Sequence, residues 1–179
     1  SSFKKFFEAY GCRTIFIPNP HTFNFEDTNV PKLKNRSGVL WLGRLDDSQK
    51  YWRDALYVME QITKLVPGTQ CYIGGSEYDA NSVNELKEII SQHHLEQYVH
   101  WIGRRTDVKQ LLQHCRVFLM TSSFEAFPMI LAEAKICGAP VVIYEMPYLE
   151  MLQDPKGVLI VPQRDTKSMI EKSIRLLRD

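Results

Sequence analysis

Residues 117–144 read Val117-Phe118-Leu119-Met120-Thr121-Ser122-Ser123-Phe124-Glu125-Ala126-Phe127-Pro128-Met129-Ile130-Leu131-Ala132-Glu133-Ala134-Lys135-Ile136-Cys137-Gly138-Ala139-Pro140-Val141-Val142-Ile143-Tyr144. Val117–Met120 and Val141–Tyr144 are apolar at successive positions rather than alternating, the pattern of strands covered on both faces of a parallel sheet. Between them, Pro128 to Cys137 is apolar almost all round. Pro suits a first helical turn and Gly138 suits a helix stop, so this span predicts a buried helix.

The same strand-helix alternation extends outward from this unit. Strands are expected at Val39–Leu42, Gln70–Ile73, Val99–Ile102 and Val158–Val161. Ala55, Val58, Met59, Ile62 and Leu65 form one helical stripe, stopped by Pro67-Gly68. Val83, Leu86, Ile89 and Ile90 form a second; Val108, Leu111, Leu112 and Cys115 form a third, with Thr106-Asp107 as its cap. A last helix is expected from near Asp165, with Met169, Ile170, Ser173, Ile174 and Leu177 inward. This repetition predicts an α/β fold, a Rossmann-like doubly wound parallel sheet. Residues 1–37 do not fit it. Phe3 to Tyr10 could make a helix and Thr14–Ile17 a strand, and the polar run Lys34-Asn35-Arg36-Ser37-Gly38 reads as a linker. The expected organisation is an inter-domain segment or the tail of another domain over 1–37, and one domain over 38–179.

Composition narrows the function classes. A chain of 179 residues with 44% apolar and 24% charged residues is an ordinary globular domain, neither disordered nor fibrous. With 22 basic against 21 acidic residues, nothing favours nucleic acid, and any anion site must be local. No apolar run approaches the ~20 residues that span a bilayer, and the opening residues show no signal peptide. Cys12, Cys71, Cys115 and Cys137 form no C-x-x-C pair and no cluster with histidine, so they read as core thiols of a cytoplasmic protein rather than zinc ligands.

In open α/β sheets, ligands bind beyond the carboxyl ends of the strands. That rim carries Gly43-Arg44, Gly74-Gly75, Gly103-Arg104-Arg105, Thr121-Ser122-Ser123 and Glu145. Glycines let backbone approach a ligand and arginines offer forked donors to phosphate. Each could be an ordinary turn glycine or a solvated arginine; together they favour a phosphate or nucleotide site. The backbone N–H groups between about Phe127 and Leu131, Pro128 excepted, would face an anion at the helix start. Glu133, inside an apolar helix, needs partners such as the two hydroxyls of a ribose, unless it lies on an exposed side.

The segment from Glu125 to Glu133 resembles the E-x7-E motif of the GT-B fold, family 4 (group 1) retaining glycosyltransferases. Trp41-Leu42-Gly43-Arg44-Leu45 with Lys50 resembles the family's G-R-x(n)-K element. Ile17-Pro18-Asn19 resembles the I-P-N segment that leads into its C-terminal domain. The resemblance implies that Arg44 and Lys50 hold the diphosphate of a nucleoside-diphosphate sugar, that Glu133 binds the ribose hydroxyls, and that Glu125 touches the donor sugar. Phe127, Met129 and Ile130 would offer amides beside Pro128, and the turn around Gly103-Arg104 would meet the base. Gly43 and Gly74 would complete the substrate-binding rim, with Arg44, Lys50 and Glu125 as the catalytic set. The chain departs from the family in having Tyr51-Trp52 where a Gly often follows the lysine. It also has Glu145-Met146-Pro147-Tyr148-Leu149-Glu150 where a Gly-rich turn is usual.

The implied activity is a hexosyltransferase with a UDP-sugar donor favoured over GDP-sugar, and a saccharide or lipid-linked acceptor. Polysaccharide biosynthesis at the inner membrane face is compatible with it. No cofactor is expected, and no catalytic metal, since Asp46-Asp47 is not a D-x-D. The acceptor site and a histidine would come from an N-terminal domain, so residues 1–179 alone are expected to be inactive. His21, His93, His94, His100 and His114 are assigned no role. The competing class is a non-catalytic nucleotide-binding or scaffold domain of the same fold. A two-carboxylate glycosidase is disfavoured, because nothing supplies the raised-pKa acid and opposing base.

Overall fold

The six apolar runs pair into one sheet in a computed structural model that describes residues 2–15, 30–146 and 156–179. The strands are β1 (Ser37–Leu42), β2 (Cys71–Gly74), β3 (Val99–Gly103), β4 (Cys115–Met120), β5 (Val141–Tyr144) and β6 (Val158–Val161). All pairings are parallel, in the order β3-β2-β1-β4-β5-β6. The chain lays β2 and β3 outward on one side of β1, then returns to lay β4 on the other side. The order therefore reverses between β1 and β4, which is where an open sheet of this kind parts its loops to make a crevice.

The helices are α1 (Ser2–Ala9), α2 (Trp52–Leu65), α3 (Ser82–Gln92), α4 (Val108–His114), α5 (Met129–Ile136) and α6 (Thr166–Arg178), with a 3-10 turn at Leu33–Asn35. Successive strand residues point to opposite faces, and both faces are buried. Val39 and Trp41 of β1 and Val117 and Leu119 of β4 pack with α2, α3 and Met169 of α6. Leu40, Phe118 and Met120 pack with Leu112 of α4 and Leu131 and Ala134 of α5. This two-sided burial explains why the strands read as unbroken apolar runs.

Several local expectations change. Thr14 and Ile15 carry no strand, and the remainder of that expected strand lies outside the described residues. Cys12 is exposed; Cys71, Cys115 and Cys137 are buried, and burial pushes the Cys71 and Cys115 thiols up to about 12. Cys115 opens β4 rather than closing α4. Leu65 is exposed at the end of α2. Asp107 stands at the N-cap position of α4 without capping it, because Arg105 takes both of its carboxylate oxygens, at 2.8 and 2.6 Å. Ser37 and Gly38 already belong to β1, and Arg36 is buried. Its guanidinium donates to the carbonyls of Leu112 (3.0 Å) and Cys137 (2.7 Å), closing the C-terminal ends of α4 and α5, while its Nε donates to Pro31. The polar run before β1 is thus tied to the domain at two carbonyls and to its own chain at a third.

Candidate functional site

Two loops leave the sheet on either side of the crevice: residues 43–51 after β1 and residues 121–128 after β4. Core residues set their spacing. The indole N–H of Trp41, 2% exposed, donates to the Thr121 hydroxyl oxygen at 3.0 Å, and that hydroxyl donates to the Lys50 carbonyl at 2.7 Å. The Ser123 amide donates to the Gln49 carbonyl at 2.8 Å, and the Gln49 side chain donates to the Phe124 carbonyl at 3.1 Å. The two loops are therefore laced together by groups whose partners are all accounted for.

This lacing brings Lys50 Nζ onto Glu125 Oε1 as a hydrogen-bonded ion pair. The same carboxylate oxygen accepts from the Ser122 hydroxyl at 2.7 Å. Arg44 donates to Asp46 Oδ2 at 2.9 Å, and its guanidinium stands 5.4 Å from the Tyr78 ring centre. Asp46 also accepts from the Ser48 amide at 2.9 Å and its hydroxyl at 2.6 Å. Burial pushes the Asp46 carboxyl up, but the bonds from Ser48 and Arg44 outweigh it and hold the group down at about 2.

A cleft of about 380 Å³ opens between these loops, lined by Leu42, Gly43, Arg44, Lys50, Arg105, Val108, Glu125, Phe127, Pro128, Met129, Ile130 and Glu133. Arg44, Lys50, Glu125 and Glu133, chosen from four separate points of the sequence, thus face one hollow. The first turn of α5 opens onto it. There the Leu131 amide donates to Pro128 O at 3.0 Å, so the expected range of ligand-facing amides narrows to Phe127, Met129 and Ile130. Lys50 lies two residues before α2.

Other expected residues stand elsewhere. Gly74, Gly103 and Arg104 lie along the same rim but do not line the cleft, and Arg105 occupies the side expected of Arg104. The glycine at 74 is accounted for by packing: a Cβ there would come within 2.8 Å of Leu42 and 2.9 Å of Ile102. His93, His100 and His114 bond to Glu60, Gln70 and the Gln110 carbonyl, away from the cleft. Ile17-Pro18-Asn19, His21 and Pro147 to Glu150 lie outside the described residues. Ser122 was expected on the rim but without its bond to Glu125, for which the i, i+3 spacing was the available signal; Gln163 was not singled out. A larger hollow at the amino end of β1 is lined partly by Arg36 and Arg116, and both arginines already donate to backbone carbonyls.

The cleft combines three cations (Arg44, Lys50 and Arg105), a helix start and two carboxylates. It can hold an anion of two or more charges beside a group bearing several hydroxyls. Among the described residues no cluster of His, Cys, Asp and Glu could hold a metal ion, and no helix is long and apolar enough to cross a membrane.

Comparison with known proteins shows the family and the fold. The family model of glycosyl transferases group 1 matches residues 36–179. An N,N'-diacetylbacillosaminyl-diphospho-undecaprenol alpha-1,3-N-acetylgalactosaminyltransferase of Campylobacter jejuni is 34% identical over 82 residues, covering 45% of this chain and 22% of that protein. A mutant S. aureus TarM, solved with fondaparinux, alpha-GlcNAc-glycerol and UDP, superposes with a TM-score of 0.78 at 19% identity, covering 98% of this chain and 35% of that one. The C-terminal domain of a group 1 family glycosyl transferase, LpcC of Francisella tularensis, superposes with a TM-score of 0.69 at 16% identity, covering 82% and 79%. The chain thus spans about a fifth to a third of the first two relatives and most of the third. With the family model spanning the whole sheet and its helices, this chain belongs to the group 1 glycosyl transferases, in their Rossmann-like GT-B fold.

Proposed function

We propose that this chain is the donor-binding domain of a retaining glycosyltransferase that takes a sugar from a nucleoside diphosphate. UDP is favoured over GDP, and the acceptor is a saccharide or a lipid-linked saccharide. The observation that carries this reading is the convergence of Arg44, Lys50, Glu125 and Glu133 on one cleft at the start of α5. Arg44 and Lys50 supply the positive charge that a diphosphate leaving group needs as its bond to the sugar breaks. No metal is needed for that task here. The amides of Phe127, Met129 and Ile130 add donors at the positive end of α5. Glu133 accepts from the ribose hydroxyls, and Glu125, fixed by Ser122 and Lys50, faces the donor sugar. A diphosphate entering the cleft competes with Glu125 for the Lys50 ammonium, which releases a carboxylate oxygen toward the sugar hydroxyls. The anomeric configuration is kept in the product.

The acceptor and the remaining catalytic groups come from a second domain, so residues 1–179 alone bind donor without turnover. UDP carried by the structural neighbour TarM supports the choice of nucleotide, and a place at the inner membrane face follows from a lipid-linked acceptor. Calorimetric titration with UDP and GDP tests the site. UDP should bind, and Arg44→Ala or Glu133→Ala should each weaken it at least about tenfold, the value of one lost charge-assisted hydrogen bond. Equal binding by both variants and the unaltered chain would sink the assignment.

A further inference from the structure

Lys50 is aimed by the residue that follows it. Tyr51 has φ 46° and ψ 51°, a left-handed backbone that bulky side chains rarely adopt. The peptide on either side is pinned: the Lys50 amide donates to Asp46 O at 2.9 Å, and Tyr51 O accepts from the amides of Asp54 and Ala55, at 3.1 and 3.3 Å. The left-handed turn is what lets the chain both start α2 and send the Lys50 side chain back across the crevice to Glu125.

Something must hold a tyrosine there. The Arg164 guanidinium lies 4.2 Å from the Tyr51 ring centre, and Arg164 itself has φ 63°. Its Nη1 pairs with Asp54 Oδ1 at 3.4 Å, and the Tyr144 hydroxyl donates to Asp54 Oδ2 at 2.7 Å. Next to it, the Gln163 side chain donates to the Glu145 carbonyl at 2.8 Å. Two left-handed non-glycine residues, on loops 113 positions apart, therefore face each other across a stacked cation, and strained backbone persists only where its surroundings over-determine it. None of the side chains of Tyr51, Asp54, Tyr144, Gln163 and Arg164 lines the cleft.

We propose that Arg164 is a positioning residue: by clamping the Tyr51 ring it holds the left-handed turn that directs Lys50 at the diphosphate. The proposal rests on the nucleotide reading for its ligand, while its geometry does not. The Arg164 side chain is 55% exposed, so its removal leaves the core intact.

The test compares the unaltered chain, Arg164→Ala, and the double variant Tyr51→Gly with Arg164→Ala, with UDP as probe. Arg164→Ala should weaken UDP about fivefold, the loss of one stacked cation, with the melting temperature lowered by no more than about 4 °C. The double variant should return to within about twofold of the unaltered chain, because glycine takes the left-handed turn without support. UDP binding unchanged in Arg164→Ala, or no recovery in the double variant, overturns the proposal. The Lys50 backbone amide resonance, read without nucleotide, separates the two readings. It should move in Arg164→Ala and return in the double variant. If it does so while UDP fails to bind any variant, the nucleotide reading falls and the clamp stands; if it does not move, the clamp falls whatever UDP does.

Discussion

Arg44 enters the cleft already oriented, because Asp46 holds its guanidinium and Ser48 holds Asp46. Asp46 is the residue through which acid should reach the site. Its carboxyl titrates at about 2 in the fold against about 3.9 in an unfolded chain. A lowered pKa gives stability that is present above the unfolded value and is lost as the pH falls through the folded one. Asp46→Asn should therefore be about 1 kcal/mol less stable than the unaltered chain at pH 6, and the gap should close as the pH approaches 2. Denaturant melts of both chains at pH 6 and pH 2.5 measure it; a gap that widens in acid would contradict the pairing. Arg44, Lys50, Glu125 and Glu133 were legible as residue types standing near strand ends and a helix start. The roles of Asp46, Ser122, Gln163 and Arg164 were not, since their importance lies in which neighbour the fold brings to them. The same reason moved the cleft-facing arginine from Arg104 to Arg105, because a turn's direction decides which of two adjacent side chains points inward.

At the scale of elements, the turns after the strands are shaped by one another as much as by a ligand. Gly75 has φ 138°, and a Cβ there would stand 1.7 Å from the Gly43 carbonyl oxygen. Gly75→Ala must therefore push apart the ends of β1 and β2 just where Gly43 enters the cleft wall. It should cost about 3 kcal/mol or more, combining backbone strain with overpacking. Chemical denaturation reads that loss directly, and a cost below about 1 kcal/mol would show that the two turns do not press together. The strands and the five helices from α2 to α6 were legible because burial on both faces writes uninterrupted apolar runs and helical stripes. Capping was less legible: Asp107 occupies the right position yet is taken by Arg105, a competition between side chains that a local pattern does not display. Tyr51 stands where the family often has glycine, and the backbone supplies the meaning of that departure, a left-handed φ of 46°.

Across the whole molecule, the sheet order decides where the chemistry can be. β1 and β4 are neighbours in space but separated by 72 residues between Leu42 and Cys115, and only their pairing joins Lys50 to Glu125. The apolar runs announced a parallel sheet; the crevice between β1 and β4 follows from the strand order, which sequence spacing alone does not fix. Arg44, Lys50, Arg105, Glu125 and Glu133 share one cleft on that rim, within the residues 36–179 that the family model matches. A crystal structure of this chain soaked with UDP is the most direct measurement. The diphosphate should lie within about 3.2 Å of Arg44, Lys50 and an amide at the start of α5, with the ribose hydroxyls on Glu133. Nucleotide bound at the amino end of the sheet, with those side chains left as they stand, would contradict the account.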